Sequence, residues 1–101
     1  MASRVDLQRE LERLLGVRHV YYQAPESVKM EYPAIRYSRS DVDIKSADNK
    51  PYMHKKKYEI IVIDRKSDNP VIDEILMIPM CTYDRHYIAD NLHHDVMTLY
   101  Y

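Results

Sequence analysis

Asp84, His86, His93, His94 and Asp95 lie close together near the C-terminus, and imidazoles with carboxylates are the side chains that hold transition metals. A hairpin over this stretch would bring His86 near the later pair. On a strand, however, His93 and His94 point to opposite faces, so at most one of them can join His86. Neither a helical HExxH pair nor a cysteine-based spacing is present, and the expectation is no metal and no cofactor. Cys81 and His86 are of nucleophile and base types. Five residues apart on a strand, they are expected on opposite faces, and no glycine-rich turn is at hand to aim amides at an oxyanion. Gly16 is the only glycine, which excludes a phosphate-binding loop. No residue is assigned a catalytic role, and the chain is expected not to be an enzyme.

The remaining chemistry is that of contact surfaces. The basic run His54-Lys55-Lys56-Lys57, flanked by Tyr52 and Tyr58, could meet a phosphate backbone with ring stacking, or could simply be a charged strand end that blocks edge-to-edge aggregation. Net charge is -1, so the general attraction that drives non-specific nucleic-acid binding is missing from the chain as a whole. All ten aromatic rings are tyrosines, with no Phe or Trp, so every large ring carries a hydroxyl that needs a partner or water. Tyr21-Tyr22 and Tyr100-Tyr101 can be half-buried sheet residues or can pack against other copies, since tyrosine is enriched in interface cores.

These residues need a scaffold, and 101 residues suffice for one domain with one modest core. Ser3 and Asp6 resemble a capping box, and Leu7, Leu11, Leu14 and Leu15 form one apolar stripe, which predicts a helix ending at Gly16. Residues 18–23 and the EYPAIRYSR stretch read as extended segments, with Pro33 at the start of the second. Residues 40–51 are polar without an apolar period and read as a long projecting loop. The stretch 52–65 reads as a strand, basic and exposed at first and apolar on both faces at Ile60 to Ile63. Ser67 to Asn69 followed by Pro70 predict a second helix with Val71, Ile72, Ile75 and Leu76 on its stripe. Met80 to Ile88 and Leu92 to Tyr101, joined through Ala89-Asp90-Asn91, read as a closing β-hairpin.

The expected fold is α+β in the order α-β-β-β-α-β-β, a single mostly antiparallel sheet of four to five strands with two helices packed on one face. The lone Cys81 reads as a small buried hydrophobe in a reducing compartment. The polar N-terminus lacks the shape of a secretory signal, and no apolar run approaches the ~20 residues that span a bilayer, so no membrane contact is expected.

Residues 68–101, DNPVIDEILMIPMCTYDRHYIADNLHHDVMTLYY, together with YPAIRY at 32–37, resemble the tail terminator (tail completion) proteins of long-tailed bacteriophages. The shared features are a proline-methionine-cysteine step, an aspartate-arginine-histidine-tyrosine stretch and an asparagine-led strand ending in paired tyrosines. The resemblance covers about half the chain and none of the 40–51 stretch. It implies a virion subunit, assembled in the host cytoplasm, that forms a hexameric ring on the head-proximal end of the tail tube. Such a ring stops tube polymerisation and docks the head-completion or neck proteins, and genome DNA passes through its lumen without sequence-specific binding.

A ring is a head-to-tail assembly and needs two unlike patches per subunit. Arg9, Arg13, Arg85, His86, His93, Asp95, Tyr100 and Tyr101 are the candidates for these. Asp41, Asp43, Lys45, Lys50, Tyr52, His54, Lys55, Lys56 and Lys57 are the candidates for contact with the tube protein or a neighbour. A head-completion protein of the same particle is the alternative reading, and a small metal-binding or hydrolytic enzyme is a distant third.

Overall fold

Leu7 and Leu11, one helical turn apart, are fully buried in α1 (Arg4–Leu15), and the partly buried Leu14 and Leu15 extend their stripe. The structure, a computed structural model, describes residues 4–24, 29–47 and 50–101, with 41–47 and 50–55 described by their backbone. The expected cap at Ser3 lies outside these residues. At the other end, Gly16 adopts φ +85° and its N–H donates to the Glu12 carbonyl at 2.9 Å, as a glycine placed just past a helix should.

Five strands follow: β1 (Val20–Tyr22), β2 (Ala34–Ala47), β3 (Lys50–Asp64), β4 (Cys81–Ala89) and β5 (Leu92–Tyr100), with the short helix α2 (Val71–Leu76) between β3 and β4. The element order is the expected one. They form one sheet in the order β1-β2-β3-β5-β4. Three pairings are antiparallel and β1 runs parallel to β2, so the sheet is mixed. The parallel pair arises because the chain crosses back between Tyr22 and Ala34 before re-entering the sheet.

Register sorts the side chains into rows. Val20, Ile35, Val62 and Asp95 are level across four strands, and so are Tyr22, Tyr37, Ile60 and Met97. Together with Tyr58 and Leu99 these rows face both helices, and Val71 and Ile75 of α2 join Leu7 and Leu11 in the same core. Both helices therefore cover one face. Central strand β3 buries Ile60, Val62 and Ile63, which explains its run of apolar residues on both faces.

Asn69 starts α2. Its side-chain oxygen accepts the Val71 N–H at 2.9 Å, its amide donates to Asp64 at 2.8 Å, and Pro70, already in right-handed helical conformation, stands at the cap just before Val71, where its missing N–H costs nothing. The β4–β5 turn uses Asp90 and Asn91 at φ 54° and 63°, the left-handed pair of a two-residue hairpin. Among the described residues, no helix is long and apolar enough to cross a membrane.

The expected loop at 40–51 is a correction. Asp41 to Ala47 pair with Lys57 back to Lys50, so β2 and β3 continue as a two-stranded ribbon. In this register Asp41 is level with Lys57 and Asp43 with Lys55. A strand that is polar along its length carries no apolar period, and so reads like a loop. The molecule's long dimension is 50 Å against 23 and 22 Å for the others.

Candidate assembly surfaces

The two central tyrosines show how this chain satisfies its hydroxyls. Tyr37 donates to Gln8 Oε1 at 2.5 Å and accepts from Arg4 Nη1 at 3.3 Å, while Gln8 Nε2 donates to the Val20 carbonyl at 3.0 Å. Arg4 lies over the Tyr22 ring at 4.5 Å, and Tyr22 packs on Tyr37 at 4.9 Å. This network pins α1 to β1 and β2. Burial pushes the Tyr37 and Tyr58 hydroxyls above the ordinary tyrosine pKa, so both stay protonated.

The candidate interface residues divide among three surfaces. The first is the β4–β5 end of the sheet. His86 and His93 stack at 5.2 Å, with His86 Nε2 and His93 Nδ1 3.0 Å apart, so one ring donates to the bare nitrogen of the other. His94 is on the opposite face, stacked on Tyr87 at 4.6 Å and bonded through Nδ1 to the Leu92 carbonyl. The histidine pair divides between faces as expected. Asp95, 7% exposed, accepts the Tyr83 hydroxyl at 2.7 Å, and that carboxylate pushes the Tyr83 pKa up to about 12. His93 and Asp95 thus each find a partner on β4. Asp84 is held by Arg85. Among the described residues no three metal-ligating side chains come together.

The Cys81 and His86 expectation also needs correction. Register slips between Tyr83 and Arg85, which makes Asp84 the extra residue of a β-bulge. Cys81 is level with Leu99 and His86 with Asp95, so the two lie on the same face. They are still four β5 positions apart, roughly 13 Å at strand spacing. The thiol is only partly buried, and its burial pushes its pKa up, away from the reactive thiolate.

The second surface is an open groove between the helices and the C-terminus, where Arg13, Leu14, Glu74, Met77, Ile78, Pro79 and Tyr101 meet. Arg13 pairs with Glu10, which lowers the carboxyl pKa and raises that of the guanidinium. Met77 is 82% exposed beside the groove. Arg9 lines the adjoining hollow with Arg13 and Gly16. Arg9, Arg13 and Tyr101 are therefore brought together, apart from His86, His93 and Asp95. Met77 was missed by sequence reasoning, although its position between α2 and Pro79 was a signal that it stands clear of the helix stripe.

The third surface is the ribbon. Asp41, Asp43 and Lys45 lie on β2, and Lys50, Tyr52, His54, Lys55, Lys56 and Lys57 on β3. β5 joins β3 only from Lys57 on, where Tyr100 is level with Lys57, and Tyr101 exchanges backbone hydrogen bonds with Lys56. β1 flanks β2 only at Ile35 to Tyr37. Tyr100 and Arg85 lie on the face turned away from the helices, by alternation from Leu99 and from His86. No known protein family and no curated protein matches this chain.

Proposed function

We propose that this chain is a structural subunit of a phage tail, a tail terminator that closes into a ring on the head-proximal end of the tail tube. One observation carries the reading: a small sheet has unlike exposed features at its two sides, a strand-paired ribbon leaving from β2–β3 and a bare outer strand at β4. Head-to-tail association needs such a pair of unlike patches, whereas a closed dimer needs one self-complementary patch. The segments that carry the family resemblance form the start of β2 and the α2–β4–β5 unit, so they include most of the exposed β4–β5 surface. The ring stops addition of tube protein at one end and offers its other end to a head-completion or neck protein.

The test is polymerisation of the major tube protein with and without the purified chain, followed by negative-stain microscopy. Tubes of bounded length with a ring at one end are expected. Tubes of unchanged length with no terminal density would refute the reading. Reversing Lys55, Lys56 and Lys57 to Glu is expected to abolish capping.

A further inference from the structure

We propose that copies of this chain join through their backbones, the outer edge of β4 of one copy pairing antiparallel with the outer edge of the β2 overhang, Ser38–Ala47, of the next. The inference rests on the ring reading and specifies its joint. β4 is the last strand of the sheet, and all of Thr82 to Ile88 is exposed. Its unpaired backbone groups can be placed. Ala89 and Leu92 close the two-residue turn, so Ala89, Tyr87 and Arg85 bond β5, while the N–H and C=O groups of Ile88 and His86 point outward. Beyond the bulge, Tyr100 donates to the Met80 carbonyl, which puts Thr82 in the bonded set and Tyr83 in the outward one.

The other edge is equally bare. β1 leaves β2 after Tyr37, with the Gln23 N–H donating to the Tyr37 carbonyl, and among the described residues no strand lies outside the ten residues Ser38–Ala47. A two-stranded ribbon is marginal in water by itself, so this overhang gains most from a third strand. The senses agree: β2 and β5 run one way and β3 and β4 the other, so when copies follow one another in the same orientation, β4 meets β2 antiparallel. The lengths agree as well, nine residues against ten. Arg85 of β4 is level with Arg36 of β2, so each copy must shift along the strands by about 20 Å to reach the overhang, the kind of stagger that closed rings of tilted strands carry. β4 carries neither Lys nor Pro, two common blocks to edge pairing, although the Asp84 bulge interrupts its outward row between Tyr83 and His86, and it exposes Tyr83 at 45% and Ile88 at 62%. A β4–β4 contact would instead close at two copies.

The experiment combines native mass spectrometry with hydrogen exchange at single amides. In the oligomer, the Tyr83, His86 and Ile88 amides and those of the β2 overhang are expected to exchange at least ~10-fold more slowly than in the dilute monomer. His86→Pro and Ile88→Pro each delete one outward N–H while leaving the β4–β5 bonds in place, and each is expected to weaken assembly ~10-fold or more. His86→Ala removes the ring but keeps the N–H, so it is expected to weaken assembly far less than His86→Pro, with circular dichroism confirming that all three variants fold. A wild-type ring whose β4 amides exchange as in the monomer, or that survives both proline variants, overturns the edge pairing and leaves the ring reading standing. A closed dimer with protected β4 and unprotected overhang overturns both. A wild type that remains monomeric at millimolar concentration overturns the edge pairing as a joint that forms unaided, and leaves the ring reading to the capping assay.

Discussion

β2 and β3 pass through two different environments along one ladder. From Ala34 to Tyr37 and from Tyr58 to Ile63 they lie beneath two helices and between flanking strands, with Ile35, Tyr37, Tyr58, Ile60 and Val62 no more than 1% exposed. From Asp41 to Ala47 and from Lys50 to Lys55 the same ladder continues with only its own two strands. In the first region hydrogen bonds are secondary to apolar burial, and a neutral hydrogen bond contributes only about 1 kcal/mol net. In the second, the backbone ladder between the two strands is what the described structure offers. Strand pairing alone therefore does not measure how firmly a segment is held.

Substitution can break this contrast most sharply in the core. Ile60→Ala removes a fully buried side chain from the middle of the tyrosine-lined core and is expected to lower unfolding free energy by about 2–5 kcal/mol in urea titrations. Tyr37→Phe keeps the ring but leaves Gln8 Oε1 without its donor. A loss of about 1–2 kcal/mol is expected, less than for Ile60, because the ring contacts survive.

Alkali tests the β4–β5 edge of the same sheet. The Tyr83 pKa is raised by Asp95 to about 12, so the folded state keeps a proton that the unfolded chain gives up near 10. Its stabilisation is complete below pH 10 and is lost as pH rises from 10 through 12. Tyr83→Phe is expected to remove about 1 kcal/mol of that alkaline loss, the ring being too exposed for the full effect of the shift. Unfolding midpoints at pH 9 and pH 11 measure it; equal wild-type and variant slopes would mean that the bond to Asp95 is not kept in solution.

The smallest effect is expected in the ribbon, where the ladder has only two strands. Replacing residues 44–54 by Asn-Gly closes the ribbon between Asp43 and Lys55 with a two-residue turn and should change stability by less than ~1 kcal/mol. A large loss would show that the ribbon is tied to the folded body after all. His86→Ala, which removes a contact between two surface rings, should likewise lie within about 0.5 kcal/mol of the wild type.

Much of the framework was legible beforehand. Leu7 and Leu11 marked the buried stripe of α1, Gly16 its end, Asn69-Pro70 the start of α2, and Asp90-Asn91 the closing turn. The ribbon was not, because its sequence is polar without an apolar alternation, and a polar strand reads like a loop. The β1–β2 pair was legible as two extended segments but not as a parallel pair. At the candidate surfaces, the separation of His93 from His94 followed from the period of two. The partners of His93 and Asp95 did not follow, because they are supplied by β4.

The sequence by itself determined the local geometry: which residues are helical, which strand residues share a face, and where left-handed residues permit turns. Those properties depend on backbone sterics and on spacings of a few residues. Only the tertiary structure decided that β5 inserts between β3 and β4, that β2 and β3 run on past their neighbours, and that one extra residue at Asp84 carries His86 round to the face of His93. These depend on which distant strands together bury a common face, and a single bulge reverses every side chain beyond it.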